Sequence, residues 1–363
     1  MTLSYPDRSR HILAFFTVIP SLLLLASCAS VTHTETATPP PSDIRPATDS
    51  IFTYPAEAVP FQNDLLESKG RYDLRRISYP SIAENGQHGN LVTVEYHQSR
   101  IPGSHPVVIV LPIWGRHVYP SNAVTRTFRK RSNGGIHILN VLGTEFLFNW
   151  PKLGSLTDED EFIETWIEGF DHEIATLIDM RRLIDWAEAQ SEIDADRIGL
   201  IGFSHGAMLA PALSVQEPRI TATVLVMGGA DGHEIIARCV GARTEGVQDH
   251  AFETFGWSRD GMAETLEPIF GSMNAANYPN RVDPNQVLIF DAGKDECVPE
   301  SSRDLLWEAM GRPERYTIDS NHRHAFYTMT PLRFNWMRKK IWTFIETRLL
   351  EDSVQSNSDR NSD

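Results

Sequence analysis

One stretch constrains the fold more than any other: Arg197-Ile198-Gly199-Leu200-Ile201-Gly202-Phe203-Ser204-His205-Gly206-Ala207-Met208. An apolar run from Ile198 to Phe203 leads straight into Gly202-x-Ser204-x-Gly206 and then into small residues with a helical pattern. That order predicts strand, sharp turn, helix. A serine on such a turn takes a strained backbone conformation that lifts its hydroxyl clear of the sheet. The flanking glycines let strand and helix meet at close range. Spacing alone is a weak signal, because a chain this long shows one such motif by chance about one time in ten. The strand-then-helix setting removes most of those accidents and marks Ser204 as a candidate nucleophile.

The rest of the chain alternates in the same way. Tyr72 to Ser78 and Leu91 to His97 read as two strands joined through a Gly/Asn-rich turn. Val107 to Leu111 is a continuous apolar run, as expected of a strand covered on both faces, and Ile136 to Leu142 is a similar run. Asp171 to Gln190 is a helix, with Leu177, Met180, Ile184 and Ala187 on one face. The acidic run Asp158-Glu159-Asp160-Glu161 reads as a solvated helix start. Thr223 to Met227, Val287 to Phe290 and Arg315 to Ile318 supply further strands, and a closing helix runs from Arg333 to Leu349. Strands separated by helices imply an α/β fold: a mostly parallel, eight-stranded sheet with helices on both faces and an antiparallel pair at one edge. Ligands then bind at the carboxyl ends of the strands. Residues 229–284 carry a weaker pattern with several aromatics (Phe252, Phe255, Trp257, Phe270, Tyr278), either a lid over the site or a long connection packed on the sheet. Phe146-x-Phe148-x-Trp150 either lines a cleft or packs as core.

The termini stand apart from this pattern. Arg8, Arg10 and His11 precede an apolar segment from Ile12 to Leu25, too short to span a bilayer comfortably, as in a secretory signal peptide over residues 1–27. Directly after it, Leu25-Ala26-Ser27-Cys28 resembles the lipobox of bacterial lipoproteins. The resemblance implies acylation of Cys28 and anchoring to the cell envelope. Ala29 in place of aspartate implies the outer membrane, with the body facing the periplasm. Residues 28–60, rich in Thr and Pro, read as a tether. The folded domain is expected over 61–350 and a polar, disordered tail over 351–363. In an oxidising compartment Cys239 and Cys297 either pair or stay free. With 41% hydrophobic residues the chain is globular, and a net charge of −15 argues against a nucleic-acid partner. Neither a Cys-x-x-Cys pair nor a Cys/His ligand spacing for a metal occurs.

A serine hydroxyl needs a base to take its proton and a third group to orient that base. His322 and His324 follow the last short strand, and either can supply the base. Asp295, in Asp291-Ala292-Gly293-Lys294-Asp295-Glu296-Cys297-Val298-Pro299, is the first candidate acid, with Asp231 and Asp291 as rivals. The chain order serine, acid, histidine is the one this elbow demands.

These residues resemble the α/β-hydrolase superfamily, on the side of the bacterial serine esterases near the dienelactone-hydrolase and prolyl-oligopeptidase-like groups. The resemblance covers roughly residues 70–348 and rests on Asp185-Trp186, Asp194-Ala195-Asp196-Arg197-Ile198-Gly199 and the elbow. It continues through Ala292 to Pro299 and Leu306-Trp307-Glu308-Ala309-Met310-Gly311-Arg312-Pro313. Carried forward from Trp307 it places the base on His322, whereas a His-Ala-Phe ending selects His324. It implies an α/β-hydrolase fold and a Ser-His-Asp triad that cleaves a small-molecule carboxylic ester, with no cofactor. The oxyanion donors are then the backbone N–H groups of His205 and of Trp114, with Ile113 the rival to Trp114. The same machinery on a peptide or amide substrate, or a non-catalytic binding protein on the same fold, are the alternatives. The side chain of His205 is expected to be a hydrogen-bonded neighbour and not the base.

Overall fold

The run that ends in the elbow forms the middle of a sheet because every residue from Ile198 to Phe203 is apolar or glycine and can be covered on both faces. The computed structural model describes residues 30–36, 50–55, 59–83, 91–113, 119–143, 148–278, 281–322 and 331–351. Its strands are β1 (Val31–Thr34), β2 (Gln62–Lys69), β3 (Tyr72–Pro80), β4 (Leu91–Ser99), β5 (His105–Leu111), β6 (His137–Val141), β7 (Ile193–Phe203), β8 (Ile220–Val226), β9 (Val287–Ala292) and β10 (Glu314–Ile318). Its helices are α1 (Ser121–Arg131), α2 (Trp150–Leu153), α3 (Glu159–Glu188), α4 (His205–Gln216), α5 (Gly232–Arg238), α6 (Ala242–Phe255), α7 (Arg259–Phe270), α8 (Glu300–Ala309) and α9 (Pro331–Glu346).

The strands form one 10-stranded sheet in the order β1-β10-β9-β8-β7-β5-β6-β4-β3-β2. β6, β5, β7, β8, β9 and β10 run parallel to their neighbours in that row, while β4, β3 and β2 form an antiparallel meander at one edge and β1 closes the other. This is the α/β-hydrolase arrangement, with two strands more than the eight expected. Both additions are edge strands. β2 is exposed along almost its whole length, so it has no apolar face for a sequence pattern to report. Asp64, Glu67 and Lys69 together with a register shift at Leu65/Glu67 blunt that edge. β1 lies within the stretch read as tether and pairs antiparallel with β10 from Val31↔Ile318 to Thr34↔Arg315.

Alternate side chains of the central strands feed two cores. Val107, Ile109 and Leu111 of β5 pack with Leu200 and Ile289 against α3 and α4 on one face. Val108 and Val110 pack with Ile201, Val224 and Leu288 against α1 and α9 on the other. The expected helix at Asp171 begins earlier, at Glu159, because Asp158 accepts a hydrogen bond from Glu161 N at 2.9 Å and the acidic first turn complements the helix dipole. A third cluster joins Phe148, Leu153, Phe162, Trp166 and Phe170 to α5–α7 and contains no strand residue. Helices α5–α7 of the 229–284 segment thus pack on the first half of α3 and on α2, while Ala230, Ala275 and Tyr278 near its ends join the core of the sheet.

His97 and His137 are both buried in this frame. His137 receives hydrogen bonds at Nδ1 from Ser99 N (3.1 Å) and Tyr96 OH (2.9 Å) and donates from Nε2 to Glu192 O (3.0 Å). Burial pulls it and His97 down from 6.5 to about 4. Both are neutral in the folded protein, while the unfolded chain takes up protons below 6.5. Their contribution to stability is therefore complete above pH 6.5 and is lost as the pH falls towards 4. The urea midpoint should fall across that window, and His137→Gln should flatten part of the slope. An identical slope in the variant would contradict this account.

Candidate active site

β7 ends at Phe203, and the chain turns at Ser204 with φ 48° and ψ −113° before α4 begins at His205. Such a conformation costs about 1–3 kcal/mol for a residue with a side chain and must be held from outside. Ser204 N donates to Val226 O of β8 at 2.8 Å, and Gly206 N donates to Pro112 O at 3.1 Å. The glycines allow this proximity. A Cβ on Gly202 would lie 2.2 Å from Gly206 O, and one on Gly206 would lie 2.6 Å from Pro112 O. The turn therefore tolerates no side chain on either flank.

The loops after β9 and β10 meet the serine from the neighbouring strand ends. Gly293 N donates to Ile318 O (2.7 Å) and Lys294 N to Ser320 O (3.0 Å), which sets the two loops in register, and the Lys294–Asp319 ion pair at 2.7 Å reinforces it. The Asp295 side chain is fully buried. Its Oδ1 accepts from Cys297 N and Val298 N, both at 2.9 Å, and this leaves Oδ2 for His322 Nδ1 at 2.7 Å. A carboxylate only accepts, so Nδ1 carries the hydrogen, and a neutral His322 presents Nε2 as an acceptor. Ser204 Oγ lies 3.2 Å from that Nε2. The three side chains form one hydrogen-bonded chain from a buried carboxylate to an accessible hydroxyl. His324 and Trp114 lie outside the described residues, as does Cys28.

The rival acids sit elsewhere. Asp291 is buried and accepts from Arg315 Nε at 2.6 Å, as part of the β9–β10 packing. Asp231 stands at the N-terminus of α5 in a left-handed conformation, and its side chain turns to Asn274 Nδ2. Burial raises its pKa above the ordinary aspartate value. His205 does not approach the serine as a base. Its ring is buried and donates from Nε2 to Glu173 Oε1 at 2.7 Å.

Glu173 belongs to no motif, although its place in the sequence carries a signal. It falls on the buried stripe of α3, between Phe170 and Leu177, where an apolar residue is expected. Cys239 and Cys297 form a disulfide, and Val240 N donates to Glu296 O at 2.9 Å. Both links tie the helical insertion to the loop that carries Asp295.

The family model described as X-Pro dipeptidyl-peptidase (S15 family) matches residues 168–262. No curated protein sequence matches the chain. Among solved structures, an acetyl xylan esterase from Paenibacillus sp. R4 superposes with a TM-score of 0.58 at 16% identity, covering 81% of this chain and 90% of that one. Acetyl xylan esterase 1 from Thermoanaerobacterium sp. JW/SL YS485 superposes with a TM-score of 0.56 at 14% identity, covering 83% and 94%. The acylaminoacyl peptidase of Pyrococcus horikoshii gives 0.50 at 15% identity, covering 77% of this chain and 42% of that one.

A disulfide across 58 residues removes loop-closure entropy worth about 4 kcal/mol from the unfolded chain. The Cys239→Ser/Cys297→Ser double variant should therefore unfold at a clearly lower denaturant concentration than the parent. Equal midpoints under oxidising conditions would show that the link carries no stability. Sheet order, elbow and structural likeness agree, and the chain has the α/β-hydrolase fold.

Proposed function

We propose that the protein is a serine hydrolase of small carboxylic esters, with Ser204 as nucleophile, His322 as base and Asp295 as the group that orients it. The observation that carries this reading is the unbroken hydrogen-bond chain Asp295 Oδ2–His322 Nδ1 (2.7 Å) and His322 Nε2–Ser204 Oγ (3.2 Å). Ser204 Oγ attacks the ester carbonyl carbon as its proton passes to His322 Nε2. The imidazolium so formed is stabilised by the buried Asp295 carboxylate, whose other oxygen is already committed to two amides. The negative charge on the carbonyl oxygen falls to the backbone N–H of His205, at the positive end of α4, and to Trp114. Collapse expels the alcohol with the proton from His322. Water then enters by the same route in reverse and releases the acid.

An amide substrate uses the same steps, and the matched family model is named for a peptidase. Esters are preferred here because both xylan esterases align over nearly their whole length, whereas the peptidase aligns over less than half of its own. Ser204→Ala should abolish turnover of short p-nitrophenyl esters and labelling by a fluorophosphonate. Asp295→Asn should lower kcat by about 10³–10⁴-fold with little change in fold. Persistent labelling of Ser204→Ala would overturn the assignment, and faster cleavage of p-nitroanilides than of esters would shift it to amides.

We also propose that acyl chains on Cys28 hold the protein to the outer membrane on the periplasmic side. The motif Leu25-Ala26-Ser27-Cys28 after an apolar segment supports this reading. Among the described residues no helix is long and apolar enough to cross a membrane. Only Ala29 and Ser30 separate Cys28 from β1, so such an anchor would attach to the edge strand beside β10. Labelled palmitate should be incorporated by the parent and not by Cys28→Ser, and the variant should leave the membrane fraction. Equal labelling of both would remove Cys28 as the site.

A further inference from the structure

Beside the elbow, α3, α4 and the helical insertion line a partly open pocket of about 60 Å³. Phe170, Met208 and Phe270 give it an apolar wall, and His205, the residue after Ser204, borders it. Glu173 borders it too and is only 5% exposed. One carboxylate oxygen, Oε1, takes the His205 hydrogen bond, while Oε2 is buried without a partner among the described residues. Asp231 adds a second carboxylate to the same wall. A buried carboxylate oxygen left without a donor is costly, and natural structures rarely keep one without a use.

Resting on the hydrolase reading above, we propose that this cavity is a specificity pocket for a short substrate group that ends in a hydrogen-bond donor, and that Glu173 Oε2 accepts from it. His205 holds the carboxylate in place through Oε1, and the aromatic wall admits the carbon stem. Hydroxyl and ammonium ends share the required chemistry.

The test uses two sets of isosteric esters at pH 6.5. The first varies the acyl side: 4-methylumbelliferyl butanoate, 3-hydroxypropanoate and 3-aminopropanoate. The second varies the alcohol side: the acetates of propanol, ethylene glycol and ethanolamine. In the full-length protein, at least one donor-ended ester should exceed its methyl-ended partner in kcat/KM by tenfold or more. Which end wins, hydroxyl or ammonium, identifies the source of the donor. The ratio should collapse towards one in Glu173→Gln, which offers an amide donor in place of the acceptor, and in Glu173→Leu, which offers neither. Ratios near one in the unaltered protein, or a preference that survives both substitutions, would overturn the pocket while leaving the hydrolase reading intact. Absence of turnover in both sets together with absence of fluorophosphonate labelling would remove the parent reading and this one with it.

Discussion

The strained turn at Ser204 is the constraint on which the rest of the structure depends. A residue with a side chain at φ 48° is unfavourable by itself, and it persists because strand, helix and neighbouring loop over-determine it. The bond from Ser204 N to Val226 O ties the turn to β8, and that from Gly206 N to Pro112 O ties it to the loop after β5. Both anchor points lie at strand ends whose positions are set by the parallel ladder β5-β7-β8. The buried interior of that ladder is therefore the foundation of the elbow. Side chains of alternate parity fill two separate cores, and neither can shift without moving the turn.

The carboxylate and imidazole are placed by a different device. Their loops leave adjacent parallel strands, and main-chain bonds hold the two in register before any side chain is considered. Asp295 then has one oxygen fixed by two amides, so only the other is available to His322. The disulfide from Cys297 to Cys239 extends this support to the helical insertion, whose α5–α7 cluster packs on α3. On the outer side β10 is covered by β1, and Asp319 N donates to Ser30 O at 2.8 Å. The histidine loop is thereby braced from both edges of its strand.

What could be read from residues alone follows from how strongly burial marks a sequence. Buried parallel strands are continuous apolar runs, so β5 to β9 announce themselves, and Gly202-x-Ser204-x-Gly206 announces the turn between β7 and α4. Exposed edge strands carry no such mark. β2 is written Gln62-Asn63-Asp64-Leu65-Leu66-Glu67-Ser68-Lys69 and forms because β3 offers it an unpaired edge. β1 likewise depends on β10, which follows it by hundreds of residues. Helix α3 shows the intermediate case: its apolar stripe and the acidic helix start at Asp158 were both legible, but only the structure joins them into one helix from Glu159 to Glu188.

By itself the sequence determined the fold class, the serine at the elbow, and an aspartate and a histidine following it in chain order, because each depends on short-range pattern or on chain order. Only the tertiary structure decided that Asp295, and not Asp231 or Asp291, meets His322, because that choice turns on which loop end a neighbouring strand brings within hydrogen-bond reach. It also decided the partner of His205. Glu173 lies 32 residues away along the chain, and the packing of α3 on α4 alone brings its carboxylate to 2.7 Å from the imidazole. Separation along the chain carries no information about such a contact, since burial of two helices on one sheet face fixes it.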